Sequence, residues 1–417
     1  MASNEMGLGT KIAVFIAAVI AWSHDAVGLT ITNFLATPIM NEFHVGTADM
    51  GFVFSAQYIS AIFGAIIFGE LADRIGRKLA LVLAVTFEAV STALTALANS
   101  FLVLAALRII SGLGVSWGIG YALISEELGH RRRGLYGGLL QGTFILGYII
   151  SAVTTKFIYP LYGWRAAYLI ALYPIPIILP LMKFVPESTV WSKTRELEEK
   201  NTEGKKKSRV KILLKGPFLK LTLIATVTFW AAEAAYHSVV DWAPTMVHVV
   251  FKYSVANASV LVMEIALLAI PVLIIIGAVS DYIGRRLAFS LSALTGMIAS
   301  LLVWYFTIVT FDPPKAITAL FIVPFGFGSH ALFGIWLSEI YPTSVRATAT
   351  GFVFSVARGL ALGGFIVGLL NQKAGVPLVT SMMLTAAFLF ALMSIFAWLL
   401  PETKGKVILA EPEIEGI

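Results

Sequence analysis

Six ionisable side chains stand inside otherwise apolar stretches of this chain: Asp25, Arg108, Glu233, Asp241, Glu264 and Arg358, with Glu88 a weaker case. A charge surrounded by hydrocarbon is costly, so each is expected to face a wet cavity or a partner and to mark the path of an ion or substrate. A buried acid that an arginine approaches, as Asp25 and Arg108 would be if their spans pack together, is a candidate to act on a proton. A nearby guanidinium favours the carboxylate and apolar burial favours the acid, so bringing the pair together or apart switches proton affinity. A static ion pair holding two helices is the plainer alternative. Glu233, Tyr236, His237 and Asp241 recur at helical spacing and share about a third of a helix circumference, a polar stripe expected to line a cavity. There His237 is read either as a proton-exchanging group or as a satisfied buried histidine, and Asn33, Tyr148 and Glu264 are further candidates for the lining. Arg358 carries the sharpest chemistry, since a planar guanidinium binds a carboxylate through two parallel hydrogen bonds. Its partner is expected to be a protein acid, Glu233 or Glu264, or the carboxylate of a bound small molecule.

Elements able to hold these residues must cross a bilayer. The 417-residue chain is 58% hydrophobic and 13% charged, with a mean hydropathy of +0.86, and such a surface must face lipid. The net charge of +6 does not point to nucleic acid, because the basic residues lie almost entirely in a few loops between apolar spans. The absence of cysteine excludes disulfides, thiolate catalysis and cysteine-ligated metals. Spans of bilayer length, roughly 17–25 residues, fit near 12–36, 48–72, 79–98, 101–124, 135–159, 166–185, 218–248, 255–280, 286–310, 315–337, 348–371 and 376–400. These stretches lack the period-two alternation of a barrel, and only helices satisfy so much backbone in hydrocarbon. The expected fold is an all-α membrane protein of twelve transmembrane helices in two pseudo-symmetric six-helix bundles.

Lys and Arg concentrate in alternate loops, which places both termini on the cytoplasmic side of a cell (plasma or inner) membrane. The N-terminal bundle is expected over 1–185, a charged cytoplasmic linker over 186–217, the C-terminal bundle over 218–400 and a cytoplasmic tail over 401–417. The linker centres on RELEEKNTEGKKKSRVK, whose basic residues could touch anionic lipid headgroups. The halves repeat one another. GELADRIGRKLAL begins at Gly69 and GAVSDYIGRRLAF at Gly277, and the same offset of 208 carries Trp22 to Trp230 and Asp25 to Glu233. That relation makes Glu233 the candidate for a second proton site. A weaker echo joins PES at Pro186 to PET at Pro401. In the repeated loops, Gly69 and Gly277 are expected to allow close helix approach, and acids sit beside arginines in tight turns. Asp73, Gly76 and Arg77 in the first half, and Asp281 and Arg285 in the second, read with Glu126 or Glu127 paired to Arg133 and with Glu339–Arg346 as a cytoplasmic gate made of opposite charges.

GELADRIGRK and its second copy GAVSDYIGRR resemble the signature loop of the major facilitator superfamily. With RIISGLG, RRRG, SEIYPTSVR, PES and PETKG, the chain is similar over about residues 12–405 to the sugar-porter branch and its organic-acid relatives, the aromatic-acid and sialate/lactate proton symporters. The resemblance implies secondary transport by alternating access, without ATP. By the same resemblance, Asp25 and Arg108 look like the helix-one aspartate and helix-four arginine of proton-coupled sugar symporters, and Gln141 fits a hydroxyl-binding position of helix five. Two other sugar contacts are missing: Ala231, Ala232 and His237 replace amides on helix seven, and the helix-ten tryptophan position falls on Gly334, with Trp336 nearby. The leading expectation is a proton-coupled symporter for uptake of a small carboxylate-bearing metabolite, with a sugar/proton symporter as the alternative. A non-transporting sensor ranks lower because the tail is short, and a drug antiporter because helix five lacks that group's Gly-Pro signature. No P-loop, HExxH or GxSxG is present, so no enzyme activity is expected. No cofactor is expected, and no metal, since His24, His237 and His330 lie on different spans. The expected partners are a small-molecule substrate, protons and membrane lipid, not nucleic acid, with the chain a monomer.

Overall fold

The computed structural model describes residues 7–116, 118–120, 123, 142–188, 191–192, 212–342 and 345–404, and no strand occurs among them. The apolar helices among the described residues are α1 (Gly9–Phe34), α2 (Thr47–Ile75), α3 (Arg77–Leu97), α4 (Phe101–Gly112), α5 (Phe144–Phe157), α6 (Tyr159–Leu181), α7 (Phe218–Phe251), α8 (Val255–Ile283), α9 (Arg285–Val309), α10 (Pro313–Ile340), α11 (Thr348–Gln372) and α12 (Leu378–Ala397). Ten are long and apolar enough to cross a bilayer, and the shorter α4 and α5 stand where the fourth and fifth spans are expected. The all-α membrane fold read from the sequence is the fold observed.

Contacts sort the chain into two compact units, one of Met1–Phe43 with Ile59–Lys205 and one of His44–Tyr58 with Lys206–Ile417. The first half of α2 therefore groups with the second unit, although the sequence places it among the first six spans. In the first unit, Ala13, Val14, Ala17 and Ala21 of α1 are buried with Phe68, Ala84, Val85, Leu123 and Ile178. Small side chains let helices approach closely in lipid, where packing rather than water exclusion holds them together. Gly147 of α5 is the extreme case, for a Cβ there would fall 2.0 Å from the Ser23 carbonyl oxygen and 2.5 Å from Ala26 Cβ. Gly363 of α11 has the same part in the second unit, where a Cβ would stand 2.1 Å from the Ala234 carbonyl oxygen on α7.

Gly69 behaves differently from the expectation. An added Cβ meets nothing within 4 Å there, and at Gly277 it meets only Ala331 Cβ at 3.8 Å, an ordinary contact. Close approach in that part of α2 is made by Gly64, where a Cβ would lie 2.2 Å from the Leu113 carbonyl oxygen. Gly147→Ala is therefore expected to lower stability by about 1–3 kcal/mol through overpacking, whereas Gly69→Ala leaves it unchanged. Thermal unfolding midpoints of the two variants in the same detergent check this, and equal midpoints would contradict it.

Interruptions in the spans position the chemistry. Lipid offers no water to a freed backbone group, so a broken helix inside a membrane must be satisfied by protein. Beyond Gly112 at the end of α4 the chain leaves helical geometry, and Val115 and Ser116 are non-helical. In α7, one helix ends at Val240 and the next begins at Ala243 with Pro244 in its first turn, where the missing N–H costs the helix nothing. In α10, Val323–Leu332 is a 3₁₀ stretch. In α11, the helix stops at Gly359 and restarts at Gly363. Two indole N–H groups meet carbonyls near that last break: Trp230 Nε1 donates to Leu360 O and Trp242 Nε1 to Gly364 O, both at 2.8 Å. Ser116, Asp241, His330 and Arg358 each lie at or beside one of these interruptions.

Candidate functional site

In the first unit His24, Asp25, Glu88 and Arg108 are all fully buried. Ser116 supplies three contacts to the Asp25 carboxylate: its backbone N–H at 3.0 Å from Oδ2 and 3.2 Å from Oδ1, and its hydroxyl donating to Oδ1 at 2.9 Å. That N–H is free of a helical ladder only because the chain is non-helical there. Arg108 donates from Nη2 to the carbonyl of Gly28, one turn beyond Asp25 on α1. Its guanidinium also lies 5.6 Å from the centre of the Tyr168 ring, whose hydroxyl is 2.9 Å from Thr32 Oγ1. Glu88 of α3 reaches the same place, with Oε2 3.9 Å from His24 Nε2. Glycines make the room: a Cβ on Gly28 would fall 2.3 Å from Glu88 Oε1, and one on Gly114 would fall 2.6 Å from Glu88 Cβ. The structure thus gathers Asp25 and Arg108 and adds Glu88 and His24 to them. The sequence signal for Glu88 was an acid midway along an apolar span. Asn33 and Tyr148 are buried in the same unit, Tyr148 edge-on to Phe34 at 4.8 Å.

In the second unit Glu233, His237 and Asp241 are buried along α7. His237 bridges the two acids, with Nδ1 3.1 Å from Asp241 Oδ1 and Nε2 3.7 Å from Glu233 Oε2. His330 arrives from α10, its Nε2 3.6 Å from Glu233 Oε1. Tyr58 covers His237 with ring centroids 4.1 Å apart, Tyr236 lies 5.5 Å from the His330 ring, and Arg358 stands 5.9 Å from the Tyr58 ring centre. His237, Asp241, Glu233 and Arg358 are therefore brought together as expected candidates. His330 and Tyr58 were not among the candidates; a histidine in a Gly-rich stretch of an apolar span was the available signal. Glu264 is exposed on α8 and Trp336 is buried elsewhere, donating from Nε1 to the Pro401 carbonyl at 3.1 Å and lying 5.5 Å from Phe289. Neither joins this group. Among the described residues no set of three or more His, Cys, Asp or Glu is placed to hold a metal ion.

The repeated loops form two matching devices. Gly76 and Gly284 adopt φ of +103° and +99°, a conformation open to glycine and strained for other residues. Each turn delivers the next backbone N–H groups to a carboxylate: Arg77 N and Lys78 N donate to Glu187 at 2.6 and 3.2 Å, and Arg285 N and Arg286 N to Glu402 at 2.9 and 3.0 Å. A Cβ on Gly76 would fall 2.2 Å from Glu187 Oε2, and one on Gly284 2.8 Å from Glu402 Oε2. Each acid thereby sits at a helix N-terminus, where the dipole favours negative charge. Partial burial works against the Glu402 charge, but the N–H groups of Arg285, Lys404, Arg286 and Thr403 together hold its carboxyl below the usual range. Arg77 pairs with Asp73 at 2.5 Å, and Arg285 with Asp281 at 2.6 Å and with Glu339 at 2.8 Å. Glu339 also accepts from Thr403 Oγ1 at 2.5 Å. The expected partner of Glu339 was Arg346, which instead donates to the Tyr341 carbonyl at 3.3 Å; Arg285 is nearer because the tight turn at Gly284 directs it there. Gln141, Glu126, Glu127 and Arg133 lie outside the described residues.

A helical membrane protein that buries ionisable groups at the breaks of repeated spans has the construction of a secondary transporter. Residues 13–361 match the Major Facilitator Superfamily, and the chain belongs to it. It is a multi-pass membrane transporter. The chain is 25% identical over 383 residues to a cis,cis-muconate transport protein of Acinetobacter baylyi, covering 90% of this chain and 91% of that one. It is also 25% identical over 418 residues to a niacin transporter of the same organism, covering 93% of each. A crystal structure of a D-xylose–proton symporter superposes with a TM-score of 0.77 at 18% identity, over 95% of this chain and 99% of that one.

Proposed function

We propose that this transporter carries a small carboxylate-bearing metabolite into the cell together with protons, by alternating access across the cell membrane with both termini cytoplasmic. The observation that carries the reading is Arg358, placed over Tyr58 beside the buried Glu233–His237–Asp241 series. A fixed cation with a planar fork next to titratable acids suits recognition of an anion whose binding depends on protonation. The cargoes named for the two relatives are both carboxylates, which supports the same class for this chain. Asp25, with Arg108 of α4 held at the Gly28 carbonyl one turn further along α1, is the proton-carrying candidate of the first unit, and Asp73–Arg77 and Asp281–Arg285–Glu339 latch the loops in one state of the cycle. The test is uptake by the purified protein in proteoliposomes, under an imposed pH gradient, with a panel of dicarboxylic, aromatic and lactate-like acids and of sugars. An acid is expected to accumulate in step with the gradient while sugars do not. Accumulation of a neutral sugar, or acid flux indifferent to the gradient, would overturn the reading.

A further inference from the structure

Asp241, His237, Glu233 and His330 follow one another at 3.1, 3.7 and 3.6 Å. His237 turns both ring nitrogens toward carboxylates, Nδ1 to Asp241 and Nε2 to Glu233. His330 Nδ1 lies 3.0 Å from the Phe327 carbonyl oxygen. A carbonyl only accepts, so this nitrogen carries the hydrogen and Nε2 presents its lone pair to Glu233. The series therefore contains four facing pairs, counting the one to Phe327. Two neutral imidazoles bring one N–H each, and two carboxylates bring none. Two places remain where a lone pair faces a lone pair.

We propose that this series is a proton-loading site with room for two protons, and that His330 is the member through which α10 takes part in it. The inference rests on the proton-coupled reading above and gives that reading a location in the second unit. Each proton enters between two acceptors already aimed at one another, so no ring has to turn to receive it. The two wider gaps exceed a hydrogen bond, and a shared proton draws them in. The formal charge of the series rises from about −2 to zero on loading, taking both side-chain acids and both imidazoles into account. The other titratable groups facing it are Tyr58 from α2, Tyr236 from α7 and Arg358 from α11. Ring contacts fix the acceptors in place: Tyr58 lies 4.1 Å from His237, and Phe333 stacks on His330 at 4.6 Å.

Infrared difference spectra between high and low pH, recorded on the protein in lipid without substrate, read the loading directly. The expected result is a protonated-carboxyl band that disappears in Glu233→Gln and shifts in His330→Asn. The asparagine amide nitrogen occupies the place of Nδ1 and keeps a donor for the Phe327 carbonyl, while Nε2 is removed. In proteoliposomes the proton-to-substrate ratio of His330→Asn is expected to fall by one. A wild-type protein with no such band, or a His330→Asn protein with the wild-type ratio and band, overturns the proposal. Acid flux without protons, with the band intact, would sink the coupled-transport reading and leave the loading site standing; coupled flux without the band would do the reverse.

Discussion

The Asp25→Asn protein is expected to lose all accumulation driven by a pH gradient while still exchanging substrate for substrate across the membrane. Each proton that moves with a molecule of substrate supports about tenfold accumulation per unit of pH difference, and that coupling needs every proton-carrying group to load before the carrier reorients. Removing the proton-carrying carboxyl brings that ratio to one. The substitution is a mild one structurally, because the asparagine oxygen can still accept from Ser116, whose N–H and hydroxyl reach the native carboxylate at 2.9–3.2 Å. The loss of a charge-assisted contact in that buried place costs about 1–3 kcal/mol, and the thermal midpoint of the variant measures it separately from transport. Exchange persists because it needs binding and reorientation of the loaded carrier, not a net proton movement. Glu88→Gln is the companion variant, since Glu88 shares the pocket with His24 and Gly28. Gradient-driven accumulation that survives Asp25→Asn but vanishes in Glu88→Gln would move the coupling role from α1 to α3, and accumulation that survives both would remove it from the first unit.

The helical, membrane-spanning class of the elements was legible in the sequence because hydropathy is a local property, and the duplicated GELADRIGRK and GAVSDYIGRR segments showed the repeat without any structure. The stripe on α7 was legible for the same reason: Glu233, His237 and Asp241 share a face by helical spacing alone. What sequence spacing cannot give is contact between distant segments. Glu187 caps the start of α3 across 110 residues and Glu402 caps α9 across 117, and only the faint PES and PET echo hinted that the two acids are equivalent. Glu339 sits seven residues from Arg346 along the chain, yet Arg285 takes it, because the positive-φ turn at Gly284 aims that side chain back at α10. Gly69 drew attention as the first residue of a motif, whereas Gly64 and Gly147 are among the glycines that a Cβ would push against neighbouring backbone. The helix interruptions were the largest omission. Pro244, Pro324 and the glycines at 359, 363 and 364 were visible, but their effect depends on whether Trp230 and Trp242 can meet nearby carbonyls, which is a tertiary matter. His330 and Ser116 owe their places to such interruptions, and regular spans drawn through them would put both elsewhere.

Arg358→Ala is expected to weaken binding of the transported acid by about tenfold to several hundredfold, while an uncharged amide analogue of the same acid changes by no more than about threefold. The first figure follows from a charge-assisted hydrogen bond worth about 1.5–3 kcal/mol, doubled in part where the guanidinium fork engages both carboxylate oxygens. Arg358→Lys is expected to fall between, because a lysine ammonium keeps the charge and loses the fork. The competing role for Arg358 is to compensate Glu233 and Asp241, and the geometry joins the two roles rather than separating them. Arg358 lies 5.9 Å from the Tyr58 ring, which itself covers His237 at 4.1 Å, so the arginine faces a series whose charge changes with proton loading. While the acids are ionised they attract the guanidinium. Once they are protonated, the cation needs another anion, and a substrate carboxylate supplies it. Substrate affinity in the wild-type protein is therefore expected to rise as pH falls through the loading range, and this dependence is expected to be lost in Arg358→Ala. Binding measured by isothermal titration across that pH range, for the acid and for its amide, decides the matter. Equal losses for the two compounds, or a pH dependence that persists without the arginine, would leave Arg358 as a structural partner of the α7 acids and return the question of the carboxylate-binding group to the remaining side chains of the second unit.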